Sequence, residues 1–113
     1  MRNGIDQTAR VLAFFKRLGL SSTIPEAVLN RIGYRLMGQT KTDKALAVFA
    51  YNIEIYPGSA NVYDSYGEGL EQVGRLKEAQ TNYQKAVSVA EINNDINLEV
   101  FKQHLNTIQK KAK

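Results

Sequence analysis

The chain of 113 residues contains no cysteine, which excludes disulfide staples and thiolate metal sites and leaves the redox compartment open. It has no apolar run approaching the ~18 residues that a membrane span requires. Its start lacks the apolar core and cleavage site of a secretory leader, because Met1-Arg2-Asn3-Gly4 leads directly into an amphipathic stretch. Histidine occurs once, at His104, and its sequence neighbours Glu99 and Asn106 are not spaced as co-ligands. No Gly-x-Ser-x-Gly, phosphate-binding glycine loop or His-Glu-x-x-His pattern occurs. These absences lead to the expectation that the chain is not an enzyme and holds no metal or cofactor.

Charge of one sign is in modest excess. The net charge of +4 gathers at the ends, with Arg2, Arg10, Lys16 and Arg17 near one and Lys110, Lys111 and Lys113 at the other. Basic ends around a near-neutral middle read as solvated termini, so no nucleic-acid partner is expected. The rest is ordinary: 43% hydrophobic and 23% charged residues suit one soluble domain with a single core.

Glycine is present where a helix should resist it. In NVYDSYGEGLEQVGRL (residues 61–76), Val62, Tyr66 and Leu70 fall four apart, as on one helix face. Gly67 nevertheless sits inside that stretch, at a cost of about 1 kcal/mol relative to alanine. The reason lies 34 residues upstream. Leu29-x-x-Ile32-Gly33-x-x-Leu36 aligns with Tyr63-x-x-Tyr66-Gly67-x-x-Leu70, Ala45 with Ala79, and Phe49 with Tyr83, without a gap. A glycine recurring inside helical periodicity points to two helices approaching closely, with small Ala45 and Ala79 answering from the second helix. Phe49 and Tyr83 then fill the space between repeats.

This pattern resembles the tetratricopeptide repeat family over roughly residues 26–93. The departures are Leu29 for a large aromatic, Asn52 where the second copy has Ala86, and Glu91 where the first copy has Pro57. The resemblance implies an all-α fold of two helix hairpins in a right-handed superhelical stack, flanked by an N-terminal helix and a C-terminal capping helix. The corresponding segments are 1–24, 25–59, 60–93 and 94–113. Helices are expected over about 4–18, 25–38, 42–55, 60–73, 76–90 and from the Asn93-Asn94-Asp95 break to about Lys110. Two repeats alone bury too little, so the outer helices should complete the stack. In the last helix, Leu98, Phe101, Leu105 and Ile108 form one stripe, while Glu99, Lys102, Gln103 and Lys110 face away. The first helix has an apolar arc wider than one packing face needs, so either it inserts deeply into the stack or Val11, Phe14 and Leu18 on it contact a further domain.

By the same resemblance, the first helices of the hairpins line a concave groove that binds protein or peptide segments. The groove-facing positions are Asn30, Tyr34 and Met37, then Asn61, Asp64, Glu68 and Glu71. Asp64, Glu68 and Glu71 read as a solvated or ligand-facing acidic strip. Asn30 and Tyr34 replace the lysine and asparagine with which some members grip chaperone tails, so that ligand is not expected.

A closer resemblance spans about residues 25–70, including Asn30-Arg31-Ile32-Gly33-Tyr34 and Tyr56-Pro57-x-Ser59-Ala60-Asn61-Val62-Tyr63-Asp64. These residues are similar to the C-terminal repeats of bacterial hydrolases, namely α/β-hydrolase esterases akin to siderophore esterases and serine β-lactamase-like proteins. The resemblance implies an accessory module whose partner is an upstream hydrolase domain of the same chain. A free-standing adaptor binding a peptide in its groove and a homodimeric scaffold are the alternatives; the expected location is cytoplasmic, or periplasmic or secreted within a longer exported chain.

Overall fold

The computed structural model describes Arg17 and residues 24–112, and all regular structure among them is helical. The helices are α1 (Glu26–Gly38), α2 (Thr42–Ile55), α3 (Ala60–Gln72), α4 (Leu76–Asn93) and α5 (Leu98–Lys111). The expected first helix lies, Arg17 apart, outside the described residues, as do Val11, Phe14 and Leu18. Among the described residues no helix is long and apolar enough to cross a membrane. The chain divides into two compact units between Tyr56 and Pro57.

In the first unit α1 packs on α2. Leu29, Val48 and Tyr51 form a buried cluster bordered by Ile24, Leu36, Ile55 and Tyr56. The cluster is tied at one end by two polar contacts: Tyr56 Oη donates to the Ile24 carbonyl, and Asn52 Nδ2 donates to the Glu26 carbonyl at 3.2 Å. Asn52, a departure from the repeat pattern, is thus a fully buried amide that satisfies a carbonyl in the first turn of α1.

In the second unit α3 packs on α4, and α4 on α5. Val62, Leu70, Ala79, Ala86, Ala90 and Ile108 are buried there. Tyr63 Oη donates to the Pro57 carbonyl at 2.7 Å, and Asn93 Nδ2 to the Gly58 carbonyl at 2.9 Å, fixing the entry to α3 from both sides. Phe101, Leu105 and Ile108 bury the apolar stripe of α5, while Glu99, Gln103 and Lys110 remain exposed.

The same close contact occurs once in each unit. A Cβ built on Gly33 would stand 2.3 Å from Phe49 Cε1, and one on Gly67 would stand 2.9 Å from Tyr83 Cδ1. Each aromatic ring therefore lies over the glycine of the adjacent helix within its own unit, where the sequence suggested that Phe49 and Tyr83 fill the space between repeats.

The turns repeat as well. The N–H groups of Gln39, Thr40 and Lys41 donate to the carbonyls of Arg35, Met37 and Leu36; those of Val73, Gly74 and Arg75 donate to Gly69, Glu71 and Leu70. Every member of the second set lies 34 residues after its counterpart. Both turns need a left-handed residue, supplied by Gly74 at φ 84° and by Thr40 at φ 60°. Asn94 (φ 56°) ends α4 in the same conformation and lets the helix run to Asn93, three residues beyond the expected stop.

Candidate functional site

Helix α3 carries Asp64, Glu68 and Glu71 at spacings of four and three, which place them along one face. The first of them is buried: Asp64 is only 5% exposed. Its partner comes from α5, where His104 Nδ1 lies 2.8 and 3.0 Å from the two carboxylate oxygens. When Asp64 is ionised it can only accept, so the imidazole proton resides on Nδ1 and is shared by the two oxygens. Burial pushes the Asp64 carboxyl up to about 6, with nearby Glu68 adding to the rise and the His104 hydrogen bond and charge opposing it. The buried carboxyl is thus harder to ionise than an exposed aspartate.

Two turns farther along, Glu71 accepts from Tyr83 Oη at 2.8 Å and from Lys111 Nζ. Burial would raise its pKa, but the hydrogen bonds from Lys111 and Tyr83 outweigh that effect and hold the carboxylate below its ordinary range. Burial, followed by the hydrogen bond to Glu71, pushes the Tyr83 phenol upward, so it stays a donor. The Tyr83 ring also flanks the imidazole, with centroids 5.8 Å apart at 55°. The site is therefore a polar seam between α3 and α5, backed by an aromatic ring from α4.

The geometry of the seam follows from arithmetic in the chain. His104 lies 40 residues after Asp64, and Lys111 lies 40 after Glu71. Both helices advance by seven residues between the two contacts, so α3 and α5 run in the same direction there, with the contacts about 10.5 Å apart.

The groove positions expected from the sequence thus divide. Asp64 and Glu71 are engaged by α5, Glu68 is half-buried beside them, and Asn61 is exposed. On α1, Asn30, Tyr34 and Met37 are half-buried. Tyr34 meets Phe49 edge-on, with centroids 5.2 Å apart, and Asn30 Oδ1 is buried without a hydrogen-bond partner among the described residues. His104 and Lys111 were not among the expected site residues. Their signal is an oppositely charged or titratable side chain repeated at the same 40-residue offset, which inspection of immediate neighbours does not find.

No protein-family model, curated protein or solved structure matches the chain.

Proposed function

We propose that the chain is a protein-interaction module of the tetratricopeptide type, serving as the C-terminal accessory domain of a bacterial hydrolase. The observation that carries the reading is the seam recurring at 34 residues: Gly33 beneath Phe49, Gly67 beneath Tyr83, with the same hydrogen bonds closing each turn. Close-packed helix pairs of this kind bury little apolar surface singly and gain stability by stacking on one another, which leaves repeated first-helix faces as binding surfaces. The hydrolase association rests on the resemblance of residues 25–70.

Within this reading the partner-facing chemistry concentrates on α1. The carboxylates of Asp64 and Glu71 have donors from α5; on α1, Asn30 and Met37 offer an amide and an adaptable thioether beside the Tyr34 ring, which packs edge-on against Phe49. Such a face suits a peptide segment with one apolar anchor and flanking polar groups.

An immunoblot of the native product, with an antibody raised against this chain, tests the architecture. A band several times larger than the chain supports the accessory domain, and a band at the chain's own mass replaces that reading with a free-standing adaptor. The interaction itself is tested by the Y34A/M37A double variant. Capture of the hydrolase domain or peptide should fall while helicity stays unchanged; undiminished capture would exclude α1 as the binding face.

A further inference from the structure

We propose that Asp64, Glu68 and His104 form a binding site for a divalent transition metal of the zinc class, clamping α5 onto α3. One ligand atom from each of the three residues lies within 4.8 Å of the other two. Tetrahedral zinc, with bonds of about 2.0–2.2 Å to nitrogen and oxygen, separates its ligand atoms by roughly 3.3 Å. The 2.8 Å contact between His104 Nδ1 and Asp64 Oδ1 thus has to open by about half an ångström. Glu68, half-buried one helical turn after Asp64, has to draw inward by up to about 1.5 Å through its side-chain torsions.

The donor set selects among cations. Imidazole with two carboxylates suits zinc, nickel or copper, whereas magnesium and calcium prefer all-oxygen shells. The arrangement is also pre-formed in the way chelation needs. Asp64 and Glu68 share one face of a rigid helix, His104 arrives from another, and the Tyr83 ring restrains the imidazole. Water would supply the fourth ligand of a tetrahedral ion. Ligation at Nδ1 moves the proton there to Nε2, and only a second proton held by the His104–Asp64 pair is released, so affinity rises with pH where the pair is doubly protonated.

The test is calorimetric titration of the chelator-treated chain with zinc chloride, and separately with magnesium chloride, at two buffer pH values. One equivalent of zinc should bind, with proton release only at the lower pH and more tightly at the higher, while magnesium gives no comparable heat. Cobalt(II) substituted at the site should show the intense visible absorption of a tetrahedral complex. Loss of an outer-shell partner alone commonly weakens metal sites by ~10–100-fold, so H104Q and E68Q should each weaken zinc binding by at least about tenfold. Circular dichroism checks that H104Q remains folded, and E68Q, changed at a half-buried position, provides the decision where it does not. Absence of zinc binding, or zinc affinity unchanged in E68Q, overturns the proposal.

Discussion

At the scale of single residues, two glycines and one threonine set local geometry by opposite means. Gly33 is the tighter of the two seams, because an added Cβ would fall 2.3 Å from a Phe49 ring that is wholly buried. Overpacking of this kind costs about 1–3 kcal/mol, against a helix-propensity gain of about 1 kcal/mol for alanine. G33A should therefore be destabilised in urea unfolding, and an added F49L should restore part of the loss. At Gly67 the corresponding gap is 2.9 Å, so G67A should lose less than G33A. Thr40 is the reverse case: a β-branched residue held at φ 60°, where an L side chain costs roughly 1–2 kcal/mol. After the entropy that glycine loses on folding, T40G should raise stability by about 0.5–1 kcal/mol. The glycine seams are readable from sequence because a glycine that recurs inside a helical period weakens the helix twice, a loss that close packing offsets. Thr40 is not readable from its own type, since threonine is a poor marker of left-handed backbone; only its register with Gly74 reveals it.

At the scale of elements, α5 is the helix whose docking depends most on ionisation. Glu71 has its pKa lowered in the fold, so it contributes stability above the ordinary carboxylate range, near pH 4.5. That contribution is lost as pH falls through its depressed folded value. E71Q should therefore flatten the acid limb of the stability–pH curve measured by urea midpoints. Lys111 is about half exposed, so K111A should cost no more than about 1 kcal/mol, less at high salt. The apolar stripe of α5 is legible in the sequence, because Phe101, Leu105 and Ile108 keep the helical period. The carboxylates of α3 read there as facing solvent or ligand, because a helical wheel shows which residues share a face, never what covers that face. The covering residues here lie 40 positions away.

At the scale of the whole molecule, the fold class was legible because all-helical periodicity persists through every described segment. The division between Tyr56 and Pro57 falls close to the sequence boundary of the two repeats, where Pro57 and Gly58 punctuate the chain. The second unit also exposes Ile92 and Ile96, at 84% and 95%. Neither is packed enough to matter to folding, so I92K/I96K should shift the unfolding free energy by no more than about 0.5 kcal/mol. The same substitutions should lower any concentration-dependent mass seen by light scattering, because exposed apolar side chains favour self-association when they adjoin.

The equal offsets of the two α5 contacts carry a further consequence. Because they are seven residues apart, sliding α5 by two turns would put Lys111 against Asp64, Ile108 in the place of Phe101 and Leu105 in that of Leu98. The first half of the contact face is therefore nearly self-similar, although Ala112 would stand in the place of Leu105 and Glu71 would lose Lys111. What further opposes that alignment is the connection from Asn94 to Asn97: a shift of about 10.5 Å would draw its four residues toward their full reach of about 13–14 Å and break the turn hydrogen bonds from the Asp95 and Leu98 N–H groups to the Ala90 and Asp95 carbonyls. Alignment is thus chosen by a short tether. Inserting a flexible glycine-serine segment there should free the choice, and the amide resonances of α5 should then appear in two slowly exchanging sets.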